Sequence, residues 1–80
     1  MSSKILHMCK YHNMRDFAIR LKGLRKKHSL TILELSARTG LNTASLSRWE
    51  NGVYDIKGDQ LIVLAEFFGV TVGYLLGTES

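Results

Sequence analysis

Apolar residues recur along this chain at the spacing of helix faces. Phe17, Leu21 and Leu24 lie four and three residues apart with basic residues between them, which predicts an amphipathic helix over roughly residues 15–28. The spacing returns later in the chain, at Leu61, Leu64, Ala65 and Phe68. No stretch alternates apolar and polar residues over the length of a strand between hairpin turn signals. The pattern therefore predicts an all-α protein.

Local signals mark where the shorter helices begin and end. Thr31 is followed three residues later by Glu34, the pattern of a capping box. Asn42 is a favoured N-cap residue, and Gly40 suits the left-handed position that ends a helix. These signals predict four further helices, at about residues 32–39, 43–51, 58–68 and 72–76. No linker or repeat divides them, so residues 14–78 are expected to form one compact five-helix domain.

Residues 1–13 lie outside this pattern and are interpreted as an N-terminal extension. The extension is either disordered or a short basic arm that uses Lys4 and Lys10. A third interpretation packs its apolar residues as an extra helix, namely Ile5, Leu6, Met8 and Tyr11.

Composition excludes several classes of protein. A chain of 80 residues with one cysteine has no internal disulfide, and 45% hydrophobic residues are too many for a disordered chain. No apolar run is long enough to span a membrane, and polar residues interrupt the place of a signal peptide's apolar core. We therefore expect a cytoplasmic protein.

Residues with catalytic or metal-binding chemistry do not form a recognisable site. His7, Cys9 and His12 lack a fourth ligand, so their spacing does not predict a metal centre. The chain has no glycine-rich phosphate loop, no paired carboxylates and no base placed beside Cys9. The sequence predicts a protein that is not an enzyme and that needs no cofactor or small-molecule ligand.

Charge is distributed unevenly along the chain, whose overall net charge is +4. Residues 1–48 carry a net charge of +8, whereas residues 49–80 carry −4. Such asymmetry favours a polyanion on one side of the molecule, although a basic half is also typical of a merely solvated surface.

The stretch from Thr31 to Gly52 carries the functional prediction. Two helices of about two turns each are joined by Gly40, Leu41 and Asn42, which is the arrangement of a helix-turn-helix. In this motif the second helix enters the DNA major groove. Once Leu46 and Trp49 are assigned to the core, the residues left outward on that helix are short or polar: Thr43, Ala44, Ser47, Arg48 and Asn51.

Four segments of the sequence together resemble the phage lambda repressor and Cro family of helix-turn-helix proteins, also called the XRE family. They are FAIRLKGLRKKHSLT, SRWENG, LIVLAEFFGVT and GYLLG. The resemblance covers about residues 15–77. It implies a five-helix, lambda-repressor-like domain that binds double-stranded operator DNA as a two-fold homodimer.

The resemblance also implies roles for individual residues. Those that match the base-reading positions are Thr43, Ala44, Ser47 and Arg48. Asn51 and Lys57 match positions that contact the DNA backbone, and we assign Asn42 and Lys26 to the same role. Arg25 and Glu50 match a buried structural ion pair.

One position departs from the family. Where the family has glutamine at the start of the second helix, this chain has Ile32, which cannot donate a hydrogen bond to phosphate. Ile32 and Leu33 are expected to add exposed apolar surface near the DNA.

The expected function is a Cro-like repressor from a phage or mobile element, with operator half-sites about 34 Å apart. Because the domain is small, the dimer interface is expected on the last helix, at Val72, Tyr74, Leu75 and Leu76. Two alternatives remain open. One is a controller or activator of a restriction–modification system with the same fold, and the other is an antitoxin or anti-regulator whose main partner is a protein.

Overall fold

Helices and short turns account for residues 2–79, the part of the chain that the computed structural model describes; side chains are described for residues 15–79. No strand occurs in residues 2–79. The predicted all-α, five-helix fold is therefore confirmed. The helices are α1 (Ser2–Lys27), α2 (Ile32–Thr39), α3 (Thr43–Glu50), α4 (Gly58–Phe68) and α5 (Val72–Leu76).

The first helix begins much earlier than the apolar spacing predicted. α1 starts at Ser2 rather than near Arg15. Residues 2–22 contain neither glycine nor proline, so no strong helix breaker interrupts the backbone. The apolar face used for the prediction marks only the part of α1 that packs on the core. The interpretations of residues 1–13 as a basic arm or as packed apolar residues concern side chains outside the described residues and stay predictions, as does the interpretation as a disordered extension.

One apolar core joins all five helices. α1 packs against α3 and α5, α2 packs against α3 and α4, and α4 packs against α5. Side chains with at most 1% of their surface exposed come from every helix: Phe17, Leu21, Leu35, Leu46, Trp49, Leu64 and Leu75. Because α3 contributes two of them, its inner face is fixed against the rest of the domain.

The turn between α2 and α3 is stabilised by the conformation of Gly40 and by contacts of Leu41. Gly40 adopts a left-handed φ of 79°, which disfavours residues with a β-carbon. The Ser36 hydroxyl donates a hydrogen bond to the Leu41 carbonyl across the turn. Leu41 itself is partly buried against the core, as is expected for an apolar residue just before a helix N-cap. These contacts set the direction in which α3 leaves the turn.

α5 is clamped to α1 by Arg20. The Arg20 Nη1 atom donates to the carbonyl oxygens of Tyr74 and Glu79, each at 3.0 Å. The guanidinium also lies 4.4 Å from the centre of the Tyr74 ring, a distance at which a cation–π attraction operates. α5 therefore owes its position to α1 as well as to its own apolar residues.

Glycine is required where α5 ends. Gly77 has a left-handed φ of 81°, and a β-carbon built on it would lie 2.6 Å from the β-carbon of Asp16 on α1. Such a contact is too close for any other residue without a shift of the backbone, so the close approach of the two helices depends on Gly77.

Candidate nucleic-acid interface

The predicted base-reading residues lie together on the outer face of α3. Thr43, Ala44 and Arg48 are exposed and Ser47 is half-buried. Leu46 and Trp49, on the opposite face, lie in the core. The outer face of α3 is thus composed of small and hydroxyl side chains with a single cation, which lets a helix approach the edges of base pairs.

The two asparagines at the ends of α3 already form hydrogen bonds with the backbone of that helix. Asn42 Oδ1 accepts from the backbone N–H groups of Ala44 at 2.8 Å and Ser45 at 3.3 Å. Asn51 Nδ2 donates to the Ser47 carbonyl at 2.9 Å. Their assignment as contacts of the DNA backbone stays a prediction. For Asn42 it would have to use Nδ2, since Oδ1 already caps α3.

The two predicted lysine contacts come from different elements. Lys26 is exposed in the last turn of α1, and Lys57 is exposed at the N-cap of α4. Both can extend their ammonium groups toward a phosphate. Gln60 Oε1 accepts from the Lys57 backbone N–H at 2.9 Å, so α4 is capped in a way that leaves the lysine side chain for other partners.

Ile32 behaves differently from the expectation that it adds exposed apolar surface. It is half-buried and packs against the core. The first turn of α2 lies close to the core, so a branched apolar side chain at this position folds inward. Leu33, by contrast, has 71% of its surface exposed. The apolar surface at the start of α2 is therefore mainly that of Leu33.

Arg25 and Glu50 form a bidentate ion pair that joins α1 to the end of α3. Arg25 Nε lies 2.7 Å from Glu50 Oε2, and Arg25 Nη2 lies 2.9 Å from Glu50 Oε1. Arg25 Nη1 also donates to the Leu30 carbonyl at 2.8 Å. Only 13% of the Arg25 side chain and 5% of the Glu50 side chain are exposed. Hydrogen bonding to Glu50 raises the pKa of Arg25 above its ordinary value.

Asp55 is a further polar residue at the candidate interface that the sequence patterns did not predict. Asp55 lies in the loop after α3, where its Oδ1 accepts from the Trp49 indole N–H at 2.6 Å and its Oδ2 lies 3.3 Å from Arg48 Nη2. The indole hydrogen bond, and after it the Arg48 charge, holds the pKa of Asp55 below its ordinary value. A usable signal existed in the sequence, because a buried tryptophan N–H needs an acceptor and Asp55 follows six residues later.

The predicted dimer surface on α5 is only partly available. Val72, Tyr74 and Leu76 are half-buried, so each retains surface. Leu75 is fully buried, and its assignment to the interface is wrong for the folded domain. The short helix turns one side to α1 and α4, and Leu75 points to that side.

Two other expectations concern metals and membranes. Within residues 15–79 no three histidine, cysteine, aspartate or glutamate side chains come together as a metal site. The side chains of His7, Cys9 and His12 lie outside the described residues. Among the helices that the structure describes, none combines the length and apolar character of a membrane span.

The fold and the outer face of α3 define a helix-turn-helix domain. A family model described as helix-turn-helix matches residues 21–75, and the chain belongs to this family of DNA-binding regulatory domains. The match confirms the resemblance to XRE-type proteins that the sequence motifs indicated.

Two curated relatives extend the comparison. The chain is 34% identical over 60 residues to "Antitoxin PezA" of Streptococcus pneumoniae, an alignment that covers 75% of this chain and 38% of the relative. It is 36% identical over 58 residues to "Uncharacterized HTH-type transcriptional regulator YobD" of Bacillus subtilis, covering 72% of this chain and 52% of the relative. The chain thus spans about half or less of the length of these relatives. No solved structure matches it.

Proposed function

We propose that this protein is a sequence-specific transcriptional repressor that places α3 in the major groove of operator DNA. The observation that carries the proposal is the outer face of α3, where Thr43, Ala44, Ser47 and Arg48 are presented by a helix whose inner face is fixed in the core. An arginine on such a face recognises guanine through its O6 and N7 atoms. The likeness to a named transcriptional regulator supports the same function.

The distribution of charge supports an orientation in which α3 faces the DNA and α5 faces away from it. The excess of positive charge is in residues 1–48, mainly on α1 with its exposed Lys26, and the reading face of α3 adds Arg48. Residues 58–80, which include α4 and α5, contain Asp59, Glu66 and Glu79 and no lysine or arginine, so phosphate would repel them. The basic part of the domain is therefore assigned to the DNA side, and α5 to the far side.

A homodimer would place two reading helices in successive major grooves, about 34 Å apart. We assign the dimer contact to the half-buried residues of α5 and not to Leu75. Val72, Tyr74 and Leu76 all border the core and retain surface that a second copy can cover. A pseudo-palindromic operator follows from this symmetry, and repression follows if the bound dimer blocks polymerase.

Selection of bound duplexes from a random pool, followed by sequencing, tests this function. We expect a palindromic consensus and an affinity that falls with salt, with a log–log slope of about −0.9 for each phosphate contacted. We expect Arg48→Ala to weaken binding to the consensus by about 1–3 kcal/mol and to relax one base preference per half-site. A pool without enrichment, together with an affinity that is independent of salt, would contradict the proposal.

Binding to a protein partner is a second candidate function. Two observations favour it: the similarity to a protein named as an antitoxin and the 71% exposure of Leu33. Leu33 is large, apolar and adjacent to the region assigned to DNA, so a partner that covered it would also affect DNA binding.

Leu33→Ser distinguishes the second candidate from the first. If a protein partner docks on this residue, co-expression of the chain with the product of its neighbouring gene should yield a complex that the variant fails to form. Because Leu33 is exposed, the variant should fold normally and keep the consensus affinity to within about threefold, which corresponds to the small effect of most surface substitutions. A neighbouring product that binds neither form, or binds both equally well, would contradict docking on Leu33.

A further inference from the structure

Asp55 is a negatively charged residue held next to the surface assigned to DNA. Its carboxylate is anchored on one side by the indole of Trp49, a residue with 1% of its surface exposed, through a hydrogen bond of 2.6 Å. Since Trp49 is fixed in the core, the position of the carboxylate relative to α3 is fixed as well. A negative charge at this place lowers the affinity for phosphate. The role of Asp55 is therefore not to strengthen DNA binding.

Arg48 lies against the other oxygen of this carboxylate. Arg48 Nη2 is 3.3 Å from Asp55 Oδ2 and 3.4 Å from Ser45 Oγ. About half of each side chain is exposed, 49% for Arg48 and 48% for Asp55, and exposed ion pairs of this kind add little to stability. Both contacts use Nη2, whereas a guanidinium has donors on three nitrogens. The two contacts at Nη2 restrict the direction of the Arg48 side chain, and its remaining donors are available to a ligand.

We propose that Asp55 is a positioning residue that turns Arg48 toward a base edge and away from the DNA backbone. This inference rests on the proposed DNA-binding function. A phosphate brought to the Arg48 guanidinium would meet the Asp55 carboxylate, which repels it. Guanine O6 and N7 are acceptors without a formal charge, so they meet less repulsion. Asp55 thereby favours sequence readout by Arg48 over indiscriminate phosphate binding.

Asp55→Asn isolates this effect from folding. The asparagine keeps a carbonyl oxygen for the Trp49 indole and nearly the same shape, but it removes the charge that Arg48 contacts. Asp59→Asn is the matched control. Asp59 is an exposed aspartate on α4 whose Oδ1 accepts from the Gln60 backbone N–H, and its replacement makes the same change in net charge. Circular dichroism at the assay temperature would establish that both variants are folded.

The test measures the affinity of each variant for the selected consensus, for duplexes with one base pair changed, and for a random duplex. We expect Asp55→Asn to lose about fivefold or more of the discrimination at the base pair that Arg48→Ala also ceases to discriminate, since such a contact is worth about 5- to 150-fold. We also expect Asp55→Asn to bind the random duplex more tightly than the wild type. Asp59→Asn should keep the discrimination of the wild type.

The double variant Arg48→Ala with Asp55→Asn shows whether Asp55 acts through Arg48. We expect it to discriminate no less than Arg48→Ala alone, because a residue that works by positioning has no effect once its target is absent. Normal discrimination in Asp55→Asn, or a further loss in the double variant, would overturn the inference while leaving the DNA-binding function intact. If the wild-type chain selects no sequence at all, the proposed function fails and the inference fails with it.

Discussion

Glu50→Ala should reduce the free energy of unfolding by about 3–5 kcal/mol, the cost of removing one partner from a buried ion pair. The Arg25 side chain is 13% exposed, and its guanidinium makes two hydrogen bonds to Glu50, at 2.7 and 2.9 Å. Without Glu50 the positive charge remains in a largely dry position with only the Leu30 carbonyl, 2.8 Å away, as a described acceptor. A loss of this size is a large part of the 5–15 kcal/mol that is typical of small domains.

Urea denaturation followed by Trp49 fluorescence measures this loss, because Trp49 is the only tryptophan and lies in the core. Glu66→Ala serves as the control: it removes an exposed glutamate of α4 and should change stability by no more than about 0.5 kcal/mol. If Glu50→Ala and Glu66→Ala were equally stable, the ion pair would be too well solvated to connect α1 with α3.

Leu46→Ala should cost about 2–5 kcal/mol, the range for truncating a buried leucine. Leu46 has no exposed surface and lies on the inner face of α3, so the substitution leaves a cavity between α3 and the rest of the core. The same side chain packs the inner face of α3 against the core, so its truncation removes support for the position of the helix. We therefore expect weaker DNA binding by this variant even at temperatures where it remains folded.

Leu33→Ala is a control of identical chemistry at an exposed site. With 71% of Leu33 exposed, the same truncation should change the free energy of unfolding by no more than about 0.5 kcal/mol. Thermal unfolding of the two variants compares the same truncation at a buried and at an exposed leucine. Similar losses of stability in both variants would mean that the assignment of Leu46 to the core is incorrect.

Much of the secondary structure was predictable because its determinants are local. Glu34 N–H donates to Thr31 Oγ1 at 3.0 Å and Thr31 N–H donates to Glu34 Oε1 at 2.8 Å, as the capping box predicted. The N-cap of α3 at Asn42 likewise requires only neighbours two and three residues away. The start of α1 was mistaken, since an apolar face shows where a helix meets the core and not how far its backbone continues.

The candidate site was predictable in outline and not in its electrostatic detail. Apolar spacing assigns Leu46 and Trp49 to one side of α3, and Arg48 follows to the other. Whether Arg48 has a neighbouring carboxylate depends on the path of the loop after α3, for which periodicity has no signal. The inward turn of Ile32 and the burial of Leu75 likewise depend on neighbouring helices, and single-residue hydrophobicity does not reveal them.

The five helices, their caps, the helix-turn-helix and the family could all be predicted from local patterns, because each follows from residues within about one or two helical turns of one another. The groups that converge from distant parts of the chain are evident only once the helices are packed. Arg20 reaches the carbonyl oxygens of Tyr74 and Glu79. Over a shorter span, the path of the loop after α3 brings the Asp55 carboxylate to Arg48. Such contacts depend on how the helices pack and on how the loops cross between them, so local patterns do not specify them.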